Sequence, residues 1–240
     1  PMKESDASFF IEPYKPNTTA SKSACPSPDD YMKSFEGADN IIVVTITGTL
    51  SGSYNSAEIA KKIYLEEHPD TKIHVIDSLS AGGEVDLLVR KLNHLVAEGL
   101  EFDQVLDAIT AYQAKTKLLF VLAKVDNLVK NGRLSKLVGT VVGLLNIRMV
   151  GEASKTGTLE LLQKARGQKK AIKAAFDELI KAGYTGGHIT IAHRNNDKFI
   201  EQFSALIREK FAQASIEVLP TSGLCSFYAE EGGLLMGYEI

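Results

Sequence analysis

The feature that most constrains this chain is a strand–turn–helix unit that occurs twice in its first half. The first runs from Ile41 to Lys62, IIVVTITGTLSGSYNSAEIAKK. Ile41–Ile46 is a short apolar run rich in β-branched residues, the composition of a strand buried in a parallel sheet. Thr47 to Ser53 is small and hydroxyl-rich; Tyr54, Ala57, Ala60 and Tyr64 then recur at near-helical spacing, with Ile59 and Ile63 one turn apart beside them. In the second unit the strand is Lys72–Asp77 (KIHVID) and the turn is Ser78-Leu79-Ser80-Ala81-Gly82-Gly83. The helix after it carries Val85, Leu88, Val89, Leu92, Leu95 and Val96 on one face. Repeated βα units predict a parallel sheet with ligand-binding groups at the carboxyl ends of its strands.

The first turn has the chemistry of an anion site. A helix start leaves backbone N–H groups without intrahelical partners, and the helix dipole adds positive potential there. Gly48 and Gly52 let the backbone bend tightly and let a ligand approach. The hydroxyls of Thr47, Thr49, Ser51 and Ser53 supply further donors for a carboxylate or phosphate. Ser and Gly also occur at such turns simply as caps, so this stretch alone leaves both readings open.

Before these units, residues 1–30 read as loop, with Pro13, Pro16, Pro26 and Pro28 and a hydroxyl-rich run from Asn17 to Ser23. Ser27-Pro28-Asp29-Asp30 predicts a helix start, with Ser27 as N-cap and a short helix through Phe35. After the second unit, Phe102–Ala114 reads as helix. The pattern then changes. Leu118–Ala123 predicts a strand, Val125–Asn131 a short helix with Gly132 as its C-cap, and Thr156-Gly157 a hairpin turn between extended runs at Arg148–Glu152 and Thr158–Lys164. Gln168–Ala182 and Asp197–Phe211 read as helices. His188–His193, Ser215–Pro220 and Gly233–Glu239 read as strands. The fold class is α/β in two domains: a parallel βα domain over residues 1–114, and an α+β domain with a mixed or antiparallel sheet over 115–240.

Composition and motifs narrow the chemistry. A net charge of −3 gives no electrostatic footprint for nucleic acid. No apolar run is long enough to span a bilayer and no secretory segment is visible. Cys25 and Cys225 lie far apart and form no metal motif, so a reducing cytoplasm is the simplest setting. The opening Pro1-Met2 reads as a processed or incomplete start. The turn after Ile46 lacks the third glycine of a dinucleotide fingerprint, and the chain has no phosphate-loop G-K-[ST] ending. Gly48-Thr49-Leu50-Ser51-Gly52 misses the hydrolase elbow by one position. His193, at the end of a predicted strand, is the candidate base for a Ser51-dependent hydrolase; a structural hydrogen bond is its other reading.

Two more segments carry alternatives. Leu134 to Ile147 is almost wholly apolar, with Gly139 and Gly143. It reads as a helix buried between domains, or as the wall of an apolar tunnel beside an anion site. Lys164-Ala165-Arg166-Gly167-Gln168-Lys169-Lys170 is either a solvated turn or a contact for an acidic partner, because cations at a helix N-terminus oppose its dipole.

Four segments together resemble the DegV family, bacterial fatty-acid-binding proteins that serve fatty acid kinase. Ser23-Ala24-Cys25-Pro26-Ser27-Pro28 is similar to T-S-Q-P-S-P, and Leu50-Ser51-Gly52-Ser53-Tyr54-Asn55-Ser56-Ala57 to L-S-G-T-Y-x-S-A. Val75-Ile76-Asp77-Ser78 matches V-I-D-S. The longest match is Asn131-Gly132-Arg133-Leu134-Ser135, then Leu144-Leu145-Asn146-Ile147, then Lys164 through Ala171; it resembles G-G-R-I-S … L-L-N-I-K-P … K-x-R-G-x-K-K-A. The resemblance implies a bound long-chain fatty acid with its carboxylate at the junction of two α/β domains, and no other cofactor. It implies that Ser51 donates to that carboxylate within the Ser51-Gly52-Ser53 turn, that Ser23 assists, and that Arg133 lies near the head group. It also implies an ATP-dependent fatty acid kinase as partner, which forms the acyl phosphate, so that this chain presents substrate and is not itself the enzyme. Arg166, Lys169 and Lys170 are the expected contacts to that partner.

The chain departs from the family in three places. The usual opening strand V-T-D-S-T has no counterpart, and Phe9 to Ala20 matches nothing in the pattern. Where the family has H-x-G-P-G, this chain has Tyr228-Ala229-Glu230-Glu231-Gly232. Tyr228 then stands in for the histidine at the head group, with a phenol instead of an imidazole. Glu230 and Glu231 are expected to face solvent, since unpaired buried carboxylates are costly. A lipid-sensing protein without a kinase is a further alternative.

Overall fold

The computed structural model describes residue 21 and residues 23–134 and 146–240. Most of the expected N-terminal loop, the Phe9–Ala20 segment and the apolar run after Leu134 lie outside them. Helix α1 (Pro28–Phe35) starts as its sequence requires: the Ser27 hydroxyl accepts the Asp30 N–H, and the Asp30 carboxylate accepts the Ser27 N–H at 2.9 Å. Strands β1 (Asn40–Thr45) and β2 (Lys72–Asp77) pair in parallel, from Asn40↔Lys72 to Thr45↔Asp77. A parallel pair needs a crossover, and α2 (Ser53–Glu67) provides it. Then come α3 (Gly83–Ala97) and α4 (Phe102–Gln113).

The rest builds a second sheet. Its elements are β3 (Thr116–Leu122), α5 (Asp126–Lys130), β4 (Ile147–Ala153), β5 (Leu159–Arg166), α6 (Gln168–Lys181), β6 (His188–His193), α7 (Asp197–Lys210), β7 (Ser215–Pro220), α8 (Gly223–Ala229) and β8 (Leu234–Glu239). Six strands lie in the order β5-β4-β3-β8-β6-β7; β6 and β7 are parallel and the other neighbours antiparallel, so the sheet is mixed. The expected hairpin joins β4 to β5, with Gly157 at φ +78°. Helix α8 is the element the sequence reading missed. At seven residues it is too short to show a periodicity.

The layers stack in a fixed order. Helices α1 and α2 cover one side of the small sheet through Phe35, Ala60 and Ile73. Helices α3 and α4 cover the other through Ile76, Leu88, Leu92, Val105 and Ile109. Helix α3 lies on the large sheet as well: a Cβ on Gly83 would strike the Thr190 carbonyl and the Gly237 amide, and one on Gly237 would strike the backbone of Glu84. The far face of the large sheet buries Ile189, Ile191, Met236 and Tyr238 against Leu179, Phe199 and Phe203. Glu84 is buried where α3 meets β3; it accepts the Thr116 hydroxyl at 2.8 Å, and burial pushes its carboxyl pKa up. The expected boundary near residue 114 falls in the turn between α4 and β3.

Candidate functional site

The loop between β1 and α2 is wound by its own backbone. The Leu50 and Ser51 N–H groups both donate to the Thr47 carbonyl, at 3.1 and 3.2 Å, which turns the chain into the helix. Ser51 therefore stands at the start of α2. Its Oγ accepts the Ser53 N–H at 3.2 Å and lies 2.9 Å from the Ser53 hydroxyl. Gly52 is the N-cap residue. The segment from Ser23 to Ser27 crosses this helix end: the Pro26 carbonyl accepts the Ser56 hydroxyl at 2.7 Å. A Cβ on Gly52 would come within 3.0 Å of Cys25 Sγ. Gly52 has an ordinary φ of −72°, so it is the crossing segment that favours a glycine there. Both cysteines are free thiols.

The other side of the site comes from the large sheet. Helix α5 closes with Gly132 at φ +70°; the Gly132 N–H reaches the Val129 carbonyl at 3.0 Å and the Arg133 N–H reaches Leu128 at 2.8 Å. This turn sends Arg133 across to the loop between β1 and α2. Its Nε donates to the Leu50 carbonyl at 3.0 Å, one residue before Ser51, and Nη1 donates to the Asn131 carbonyl at 3.2 Å. Its guanidinium carbon lies 5.1 Å from the centre of the Tyr228 ring. The Tyr228 hydroxyl is 3.2 Å from the Ser23 hydroxyl. One run of contacts thus links Ser23, Tyr228, Arg133 and the peptide leading into Ser51. Tyr228 rides on α8, the helix absent from the sequence reading. The Ser222 start of that helix was the available signal.

Glu230 corrects an expectation. It does not face solvent: half-buried at φ +54°, it accepts the Asn127 N–H at 2.9 Å, while Asn127 Nδ2 donates to the Phe227 carbonyl at 2.8 Å. These bonds tie α8 to α5, and hence Tyr228 to Arg133. Burial pushes the Glu230 pKa up, and the bond from Asn127 opposes the rise. The N–H groups left open at the start of α5 explain why the carboxylate turns inward. Glu231 is exposed, beside Asn195 Nδ2 at 3.1 Å and Arg194 Nε at 3.8 Å.

Beneath Tyr228 lies an apolar floor. Phe120, Leu122, Met149 and Leu235, from the sheet face that also meets α3, pack in the same cluster. Arg166 ends β5, and Lys169 and Lys170 sit in the first turn of α6; all three are exposed and take no part in the contacts just described. His193 is a structural hydrogen-bonder: Nδ1 accepts the Asn196 N–H at 3.2 Å and Nε2 lies 3.8 Å from Asp197. Among the described residues Ser51 pairs with Ser53 and not with His193, so the hydrolase constellation is not assembled. A polar cavity of about 510 Å³ opens between Arg148, Asn196, Lys198 and Gly232, and none of the four head-group candidates lines it. Among the described residues no helix is long and apolar enough to cross a membrane.

The family model described as "Uncharacterised protein, DegV family" matches residues 2–238. The chain belongs to the DegV family. A DegV domain-containing protein of Streptococcus pneumoniae is 74% identical over 235 residues, 98% of this chain and 84% of the relative. A crystal structure of the Streptococcus pneumoniae fatty acid kinase (Fak) B3 protein, loaded with linoleic acid, is 77% identical and superposes with a TM-score of 0.91 over 93% of this chain and 80% of that one. A DegV family protein from Eubacterium eligens, loaded with heptadecanoic acid, is 39% identical with a TM-score of 0.89 over 93% of this chain and 81% of its own. Their architecture is the DegV fold described above.

Proposed function

We propose that this DegV-family chain binds a long-chain fatty acid and presents its carboxylate to an ATP-dependent kinase, which forms the acyl phosphate. The observation that carries the reading is the convergence of Ser23, Ser51, Arg133 and Tyr228 at the start of α2, above an apolar sheet face. A carboxylate head with an apolar tail suits both parts, and the two relatives loaded with linoleic and heptadecanoic acid support it. In this reading the Ser51 hydroxyl donates to the carboxylate at the positive end of the helix, beside the Gly52 amide, while the Ser53 N–H holds the Ser51 Oγ in place. Ser23 and Tyr228 add hydroxyl donors. Arg133 supplies the fixed positive charge that a partly desolvated carboxylate needs. In the same reading the acyl chain runs against the sheet face of Phe120, Leu122, Met149 and Leu235, where residues 1–114 and 115–240, which we read as two domains, meet.

Phosphoryl transfer belongs to the partner. Arg166, Lys169 and Lys170 stand apart from the head-group contacts on an exposed rim, which suits a docking role. An ATP-dependent partner works in the cytoplasm, and the reading places the chain there. Native mass spectrometry of the purified chain tests the first half: a co-purified long-chain fatty acid is expected, and no bound lipid together with no uptake of a fluorescent fatty acid would sink it. Reversing Arg166, Lys169 and Lys170 to glutamate tests the second. Fatty acid binding should persist while acyl phosphate formation in a reconstituted kinase assay is lost; if both fall, the cluster belongs to the pocket or the fold.

A further inference from the structure

The carboxylate of Asp77, the last residue of β2, is turned onto two backbone amides. Oδ1 accepts the Leu79 N–H at 2.9 Å and the Gly48 N–H at 3.2 Å, and Oδ2 also lies 3.2 Å from the Gly48 nitrogen. The Asp77 carbonyl accepts Gln113 Nε2 at 2.9 Å, which anchors it to α4. Gly48 is packed against this carboxylate: a Cβ there would lie 3.0 Å from Asp77 Oδ2 and 3.5 Å from Tyr54 Cβ.

Three other bonds from outside hold the same loop, one of them from Arg133 Nε to the Leu50 carbonyl at 3.0 Å. The Thr47 N–H donates to the Ser80 carbonyl at 2.8 Å, and the Thr49 hydroxyl donates to the Gly157 carbonyl at 2.7 Å. Asp77 and Arg133 are the charged members, and bonds to an ionised partner are the stronger kind; Asp77 is the one that holds the peptide between Thr47 and Gly48. Ser51 is set from this anchored stretch, because its N–H is bonded to the Thr47 carbonyl. Near a bound carboxylate the charge of Asp77 is repulsive, so its electrostatics oppose ligand binding while its geometry favours it.

We propose that Asp77 is a positioning residue for head-group recognition, fixing the Ser51 hydroxyl through the Gly48 peptide. The inference rests on the fatty-acid reading above. A positioning role has a signature that a purely structural role lacks: it affects the acid but not an uncharged ligand with the same tail. The test is to titrate the delipidated full chain, as wild type, Asp77→Ala and Asp77→Asn, with a long-chain fatty acid and with its methyl ester. For Asp77→Ala the acid should bind about tenfold more weakly, the weight of one hydrogen bond to a charged group. The ester should bind within about twofold of wild type, since its tail contacts are untouched. Asp77→Asn keeps shape and one acceptor and should fall between the two; it serves if the alanine variant does not fold. Equal losses for acid and ester, or unchanged acid binding, overturn the assignment. Tighter acid binding by Asp77→Asn also overturns it, since charge would then outweigh geometry. A wild-type chain that binds neither ligand overturns the fatty-acid reading itself, and the assignment with it.

Discussion

The two sides of the proposed head-group site are built by different means. Beside the small sheet, Ser51 is wound into place by a strand end, a loop closed on Thr47 and a helix start, and that loop is braced from outside by Asp77, Gly157 and Arg133. Beside the large sheet, Arg133 in the turn after α5 and Tyr228 on α8 are 95 positions apart in the sequence, and their elements are held together by Asn127 and Glu230. Local construction is rigid and readable; long-range construction depends on the whole sheet being in place. The lesson is that the donor is shaped by local backbone bonds and braced from outside, whereas the charge and the phenol are brought together only by long-range contacts. Four substitutions separate the two.

The largest effect should come from the junction that both sides share. Alanine at Gly83 would force its Cβ into the Thr190 carbonyl and the Gly237 amide, neither of which can swing aside. Overpacking against backbone should cost about 3 kcal/mol, the upper end of the usual range. Chemical denaturation should show the midpoint falling with an unchanged m-value. A variant as stable as wild type would mean that α3 is not clamped to the large sheet, and that the two sides are independent.

Next is the local side alone. Ser51→Ala should leave the denaturation midpoint close to wild type, since Ser53 and the Thr47 carbonyl keep their other bonds. It should weaken fatty acid binding by roughly 1.5–3 kcal/mol, ten- to a hundredfold, as a hydrogen bond to a charged group is lost. Unchanged affinity for a fluorescent fatty acid would move the carboxylate elsewhere.

What could be read from the sequence divides along the same line. KIHVID is the strand β2 with the same bounds, and Ser27-Pro28-Asp29-Asp30 is the capped start of α1, because strand runs and capping boxes are local codes. Gly132 and Gly157 marked a helix end and a hairpin, since both need a positive φ. The Ser51 turn was visible for the same reason. Helix α8 was not, because seven residues show too little of a helical repeat and, unlike α5 with Gly132, it closes on Glu230 and not on a glycine. The inward turn of Glu230 was also hidden. A glutamate reads as solvated unless one knows that open amides of α5 lie 103 positions earlier in the sequence and meet it in space. Arg133 and Tyr228 were connected to the site only by family resemblance; nothing in their own neighbourhoods shows that they touch.

Tyr228→Phe probes the long-range side gently. It keeps the ring beneath the Arg133 guanidinium and removes the hydroxyl that meets Ser23. Fatty acid affinity should fall by about 1 kcal/mol, roughly fivefold, less than for Ser51→Ala. A loss larger than that of Ser51→Ala would invert the comparison and make the large-sheet side the principal donor.

The smallest effect is a pH dependence, and it tests the brace itself. Burial raises the Glu230 pKa above its ordinary 4.5, and the bond from Asn127 partly offsets the rise, so the net contribution is a difference of opposed effects. A carboxyl whose folded pKa exceeds its unfolded one favours the fold when protonated. That contribution is complete below the unfolded pKa and is lost as pH rises through the folded one. Glu230→Gln stays neutral and keeps an oxygen to accept the Asn127 N–H. Unfolding of wild type and of Glu230→Gln should therefore be compared as pH is raised from below 4.5 to neutrality. Wild type should lose stability relative to the variant over the lower part of that range and then run parallel to it. A wild type that gains stability relative to the variant as pH rises would show that the ionised carboxylate is the preferred cap of α5. Glu230 would then hold Tyr228 and Arg133 together through its charge, and the large-sheet side of the site would tighten on leaving acid instead of loosening.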